Sequence, residues 1–297
     1  MRIAFFGLPL AACLLAHDGH EIVYAAICRR APGLRRLSTR AAPGRTKLRP
    51  DMADPQAVAA LRAQLTGAAP DLVVSWFWTS KLPPAILEVA PAIGVHPSLL
   101  PRHRGPDPYF WAIDSGDAMT GVTAHELDTD YDTGAILGQR EIAIDAKWNA
   151  WQLARALDRP SLALLRDVVR AYAERRPPRA RAQDSRAATL APEPTDADLA
   201  IVWSWPAARI ERRVRAAAPW PGAFTSIGDR TVTLSHVRAT PDFPRALEPG
   251  EAAVRSDGVA VVRASDLAVE LLEGHCDESD EPLSTLDLAQ RVVAIRG

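Results

Sequence analysis

A chain of 297 residues with 35 basic and 36 acidic side chains, formal net charge −1, is too balanced for a polyelectrolyte tail. Its 47% hydrophobic content excludes a disordered chain and leaves room for two packed domains. Three scattered cysteines, Cys13, Cys28 and Cys276, make neither a disulfide framework nor a zinc pattern and fit a reducing cytoplasm.

Ile3–Phe6 reads as a first strand that turns at Gly7 into a short helix. Met1-Arg2 ahead of the apolar run to Ala16, with Leu10-Ala11-Ala12-Cys13, has the outline of a leader with a lipoprotein cleavage site. A single Arg is thin for such a leader, and cleavage would cut a strand–helix–strand pattern, so the strand reading is preferred. No run of 18 apolar residues is present, so no membrane-spanning helix is expected. Glu21–Cys28 and Leu72–Ser75 read as further strands, with helix over Pro55–Gln64 between them. That alternation predicts a parallel sheet covered on both faces.

Arg29–Arg49 holds eight basic residues (Arg29, Arg30, Arg35, Arg36, Arg40, Arg45, Lys47, Arg49) and no acidic one. It reads equally as a grip on phosphates and as a solvated loop. Gly121–Leu127 and Ala135–Ile142 continue the sheet. Trp151–Arg175 places Leu153, Leu157, Leu164, Leu165, Val168 and Tyr172 near helical spacing, with Pro160 expected to break or kink it. A Pro-, Arg- and Ala-rich stretch follows from residue 176. The division expected is a first domain over 1–180, a linker over 181–200 and a second domain over 201–297. In the second, Ile201–Trp205 reads as extended and Ala207–Ala218 as an amphipathic helix. Thr231–Val237, Glu251–Val254, Val259–Arg263 and Leu267–Leu272 read as short strands. The fold class is therefore α/β: a Rossmann-like parallel sheet followed by a small, OB-like β-barrel.

Two stretches carry chemistry. Gly94-Val95-His96-Pro97-Ser98-Leu99-Leu100-Pro101-Arg102-His103-Arg104-Gly105 follows one strand-like run. Leu127-Asp128-Thr129-Asp130-Tyr131-Asp132-Thr133-Gly134 follows another. Together they offer one imidazole and one carboxylate on separate loops. Acyl transfer to an amine needs a donor for the developing oxyanion and a group to handle the amine proton. His96 can serve as donor or relay, and Asp132 can orient it and favour its charged form. A lone His beside a Pro is more often structural. The neighbouring Ser-Leu-Leu-Pro-Arg-x-Arg-Gly and the later Asp-Thr-Gly reverse that weighting.

Those residues resemble the formyltransferases that use 10-formyltetrahydrofolate, which carry Asn-x-His-x-Ser-Leu-Leu-Pro and then Leu-Asp-x-Gly. The likeness covers nearly the whole chain. It implies His96 and Asp132 as the catalytic pair and 10-formyltetrahydrofolate as co-substrate. Val74–Pro83 (VSWFWTSKLP) corresponds to the loop that holds the pterin, with Phe77, Trp78, Thr79 and Leu82 carried over. Asp128 and Asp130 would close the other side. Ser98, Arg102 and Arg104 are the candidate substrate contacts, although Ser98, outside any Gly-x-Ser-x-Gly elbow, also reads as a turn cap. Arg213-x-Arg215-Ala216 and Pro219-Trp220-Pro221-Gly222-Ala223 are similar to the C-terminal domain of methionyl-tRNA formyltransferases, a domain some sugar formyltransferases share. Trp220 itself reads as a core aromatic. Gly44-Arg45-Thr46-Lys47-Leu48 is a weaker version of the basic Gly-Arg-x-Lys-Lys-Leu loop of the tRNA enzymes.

Gly94 stands where the family has Asn, whose amide helps polarise the formyl oxygen. Losing one such donor costs about 10²–10³ in rate. Three outcomes are open: another group (a water, His103 or His125) fills the place, the enzyme is slow, or the chain binds folate without catalysis. For His125, a supporting role at the site and a plain core role weigh equally. Because of Gly94, the first expectation is transfer to a small amine such as an amino sugar, amino acid or natural-product intermediate. Methionyl-tRNA is the second, with tRNA held by the 29–49 segment. A folate-binding homologue and a one-carbon hydrolase are the competing classes. No metal is expected: Asp128-x-Asp130-x-Asp132 lacks the Gly and Glu of a calcium loop, and the seven histidines show no ligand spacing. No Gly-x-Gly-x-x-Gly marks a nicotinamide site.

Overall fold

The computed structural model describes residues 1–227, 230–276 and 281–296. The elements run β1 (Arg2–Gly7), α1 (Pro9–His17), β2 (Glu21–Ile27), α2 (Leu34–Arg36, continued by a π-helical turn), β3 (Thr46–Leu48), α3 (Pro55–Ala68) and β4 (Leu72–Trp76). Next come α4 (Pro84–Leu87), β5 (Ala92–His96), α5 (Pro108–Asp114), β6 (Met119–Glu126), β7 (Ile136–Ala143) and α6 (Ala150–Ala173). The remainder is α7 (Asp196–Leu199), α8 (Ala207–Ala217), β8 (Ala223–Ile227), β9 (Arg230–Thr240), β10 (Ala252–Val254), β11 (Ala260–Arg263), β12 (Ala268–Cys276), β13 (Glu281–Leu283) and α9 (Thr285–Arg296).

The first seven strands form one sheet in the order β3-β2-β1-β4-β5-β6-β7. β1 pairs parallel with both β2 and β4, and β4 pairs parallel with β5. β6 is antiparallel to β5. Strands buried on both faces need near-continuous apolar sequence, and β1 and β2 have it: each is buried except at its first residue. The Ile3–Phe6 run is thus a central strand, and Leu10–Cys13 lie within α1. Chain order reverses between β1 and β4, which opens the crevice where open α/β sheets bind ligands. Gly7 sits there with φ 138°, and a Cβ on it would overlap the Trp76 carbonyl oxygen. One face of the sheet packs Phe6, Tyr24, Leu61, Leu65 and Ile86 together, with Leu82 and Trp78 of the following loop against them.

Pro160 does not break α6, which runs on through it. Leu153, Leu157, Leu164, Leu165, Val168 and Val169 are buried on either side of it. Their burial offsets the roughly 3 kcal/mol that an internal proline costs.

Contacts divide the chain into two compact units. The first comprises Met1–Pro106, Thr120–Ile142 and Ala156–Pro192; the second comprises Asp107–Met119, Ala143–Arg155 and Glu193–Gly297. The second holds an antiparallel sheet in the order β10-β11-β12-β9-β8, with β13 also on β12. α9 lies against β8, β10, β11 and β12 and buries Leu288, Ala289 and Val292. Ile201–Trp205 is a turn, contrary to the extended reading. Ile201 N–H reaches the Phe224 carbonyl at 2.8 Å, but Trp205 N–H folds back to Val202 at 3.0 Å. Trp220 is 84% exposed and no core residue: Ala217, Ala218 and Ala223 take the buried positions around it. Arg213 and Asp114, both buried, form a two-pronged pair at 2.6 and 2.9 Å inside this unit.

Candidate active site

β5 ends at His96, so the strand itself aims the imidazole. Side chains alternate along a strand, which puts Gly94 on the same face. β6 runs antiparallel beside it with Gly94 opposite His125 and His96 opposite Thr123. Directly opposed residues share a face, so two imidazoles and a glycine meet on one surface patch. Both rings are buried.

Asp132 comes to them from the loop after β6. Its Oδ2 lies 3.4 Å from His96 Nδ1 and its Oδ1 lies 3.5 Å from His125 Nε2. Oδ2 also accepts the Gly105 N–H at 2.9 Å, which ties the two motif loops together. Asp132 holds φ 58°, a left-handed value costing about 1–3 kcal/mol for such a residue. His103 and Phe77, in the neighbouring loops, are left-handed too, with φ 57° and 56°. Gln183 holds the strained loop: its Nε2 donates to the carbonyls of Asp132 and Gly134, each at 2.7 Å, while its Oε1 accepts Arg104 Nε and Nη2 at 3.1 and 2.7 Å. Gly134 is required by crowding, since a Cβ there would overlap the Glu126 carbonyl.

The His96 ring is held by one close hydrogen bond. Nε2 donates to the His103 carbonyl at 2.7 Å, and Nδ1 faces Asp132. Because a carbonyl can only accept, the Nε2 hydrogen is fixed. His125 is the reverse: its Nδ1 donates to the Glu126 carbonyl at 2.7 Å and its Nε2 faces Asp132. Burial holds the His125 pKa below the ordinary imidazole value, with the Asp132 charge opposing and His96 adding to the depression.

The other expected residues separate into two groups. Phe77, Trp78, Thr79 and Leu82 line the loop after β4, at the reversal point of the sheet. Trp78 packs edge-on to Phe6 at 5.6 Å, and Leu82 is buried beside it. Among the described residues, no backbone N–H from Phe77 to Leu82 donates to a backbone carbonyl. Asp130 reaches across to this loop through Lys81 at 3.1 Å, and Lys81 lies over the Tyr131 ring at 4.9 Å. Asp128, exposed, accepts from Thr133 Oγ1 and Asp130 N–H, so it shapes the acidic loop. Ser98 has no exposed surface and donates to the Arg102 carbonyl at 2.6 Å. Thr123 Oγ1 fastens the same turn from β6, donating to the Ser98 carbonyl and accepting Leu100 N–H. Arg102 is exposed, whereas Arg104 is spent on Gln183. Sequence reasoning passed over Gln183, Thr123 and Lys81. Of these, Lys81 alone stood inside a recognised motif.

The family model described as "Formyl transferase" matches residues 13–169, and "Formyl transferase, C-terminal domain" matches residues 195–290. The chain belongs to the formyl transferase family. A methionyl-tRNA formyltransferase of Anaeromyxobacter dehalogenans is 37% identical over 97% of this chain and 96% of its own length. Among solved structures, HypX from Aquifex aeolicus in complex with tetrahydrofolic acid superposes with TM-score 0.66 at 19% identity, over 99% of this chain and 47% of that one. WlaRD, a sugar 3N-formyl transferase, gives TM-score 0.65 at 13% identity, over 91% and 97%. At those identities the two structures speak to the formyltransferase fold alone.

Proposed function

We propose that this formyltransferase moves the formyl group of 10-formyltetrahydrofolate to the amino group of methionyl-tRNA. The observation that carries the acceptor is the near end-to-end similarity, at 37% identity, to a methionyl-tRNA formyltransferase. The small amine preferred from the sequence rests on Gly94, which bears on chemistry at the formyl group and says little of the acceptor. The basic segment agrees with a polyanion: Arg29, Arg30, Arg35, Arg36, Arg40, Arg45, Lys47 and Arg49 are all exposed. Among the described residues none of them pairs with a carboxylate, whereas Arg2, Arg62, Arg166 and Arg186 elsewhere in the same unit do. Unpaired exposed cations are what phosphates recruit.

The loop after β4 fits a pterin. A flat heterocycle with polar edges needs an apolar wall and uncommitted backbone groups. Phe77, Trp78 and Leu82 supply the wall, and among the described residues the N–H groups of 77–82 donate to no backbone carbonyl. When bound, 10-formyltetrahydrofolate supplies the formyl carbon that the acceptor nitrogen takes from N10. The chain's part is to hold charge and protons there. Asp132 faces His96 Nδ1, and His96 Nε2–H becomes a donor to the formyl oxygen by exchanging the His103 carbonyl for it.

The test is release of tetrahydrofolate from 10-formyltetrahydrofolate with initiator methionyl-tRNA and a panel of amino sugars and amino acids. Release driven by the tRNA supports the reading. Release driven by a small amine returns the acceptor to that class, and acceptor-independent release indicates a hydrolase.

A further inference from the structure

Gly94 removes an amide from the site, and the structure shows what stands beside the gap. A Cβ built on Gly94 would lie 3.5 Å from His125 Nε2 and 2.8 Å from Leu127 Cδ2. The imidazole tip therefore borders the space into which an asparagine side chain would project. The pairing of Gly94 with His125 across β5 and β6 puts it there by register.

The hydrogen bonds fix what that tip can do. His125 Nδ1 donates to the Glu126 carbonyl, so in the neutral ring Nε2 is bare. Burial keeps the ring neutral, as the direction of its pKa shift agrees. It faces Asp132 Oδ1 at 3.5 Å, beyond an ordinary hydrogen bond. A bare nitrogen facing a carboxylate is an incomplete pair that gaining one proton completes. His96 Nδ1 faces Asp132 in the same way at 3.4 Å, but it is His125 Nε2 that borders the space beside Gly94.

We propose that His125 is a catalytic residue of this enzyme: its Nε2 accepts the proton of the attacking amine beside Gly94, and the N–H so formed takes the place of the missing asparagine amide. The inference rests on the formyl-transfer reading above. In the step, a bond forms from the amine nitrogen to the formyl carbon and the bond from that carbon to N10 breaks. The proton lost by the amine ends on N10, held by His125 in between, and no oxidant or reductant is needed. Asp132, whose carboxylate already faces both rings, balances the transient imidazolium.

Two measurements test it. In the intact protein labelled with ¹⁵N-histidine, NMR at neutral pH is expected to show His125 neutral with its hydrogen on Nδ1; a hydrogen on Nε2 would overturn the proposal. In kinetics, His125→Ala is expected to lose about 10²-fold or more in kcat with KM for the formyl donor within three-fold, the size of a general-base contribution. His125→Gln, which keeps a polar side chain and guards against a folding defect, is expected to fold with an unchanged Tm and still lose kcat, along with the acid limb of the kcat–pH profile. Either variant within three-fold of wild-type kcat sinks the proposal, as does a tenfold gain from Gly94→Asn, since that site would have lacked a partner. An inactive wild type on every acceptor sinks the formyl-transfer reading too, whereas an active wild type with an active His125→Ala sinks this one alone.

Discussion

The His96–Asp132–His125 cluster and the Arg29–Arg49 segment handle charge in opposite ways. In the cluster the rings are buried and Asp132 is shared between two imidazoles and a backbone N–H. In the segment eight cations stand in water without a carboxylate partner among the described residues. The first arrangement fixes geometry, because buried polar groups left unpaired are costly. The second leaves charge available to a partner, at little cost in stability because solvent screens it.

The contrast can be broken most strongly at His96. His96→Ala is expected to lower transfer by about 10²–10⁴-fold, the range of a lost acid–base group, while folate affinity by equilibrium titration stays within a few-fold. Gln183→Ala comes next. It frees the loop that holds Asp132 at φ 58° and should reduce kcat by up to about 10²-fold through misplacement of the carboxylate. A tRNA-binding titration would sharpen the other side. Replacing Arg35 or Arg40 with Ala should raise KM for methionyl-tRNA a few-fold, leave kcat unchanged, and reduce the salt slope of binding by about one per residue removed. An unchanged salt slope would mark those side chains as plain solvated surface.

The smallest expected effect is on stability against pH. His125 has a depressed pKa in the folded protein, so the unfolded chain binds its proton first as pH falls. Its contribution is fully present above about pH 6.5, the ordinary imidazole value, and is lost as pH falls toward the folded value. Thermal melts between pH 7 and pH 5 should therefore fall more steeply for the wild type than for His125→Gln. Parallel curves would show that the buried ring is not held neutral.

The same contrast governs how much was legible in the sequence. His96 and Asp132 were readable because each sits in a contiguous motif at a strand end. The strands of the first sheet were readable because burial on both faces forces apolar runs. β3 was missed inside the basic segment, where only three residues, Thr46–Leu48, pair on the sheet edge. β8 and β13 were missed because such short segments carry too few residues to show a period, and α9 because its apolar residues are spread around the helix and not gathered in one stripe. His125 gained its place from register, which needs to be known pair by pair. Gln183 and Thr189 lie in a stretch whose Pro- and Arg-rich composition reads as linker. Yet Gln183 braces Asp132, and Thr189 accepts the His103 N–H at 2.8 Å. Composition reports the absence of an apolar period, and a segment held by hydrogen bonds has none to show. Ser98 belonged to the motif, but its side chain turns inward, a direction the motif does not encode.

The central claim is formyl transfer to methionyl-tRNA, and the most direct test is a competition for one formyl donor. Purified enzyme would receive 10-formyltetrahydrofolate with initiator methionyl-tRNA or with each small amine, and kcat/KM for tetrahydrofolate release would be measured for each. The expected result is formyl-methionyl-tRNA formed at least about 10²-fold more efficiently than any small-amine product, a margin of roughly 3 kcal/mol. A small amine that outcompetes the tRNA, or folate bound without release under any acceptor, would contradict it.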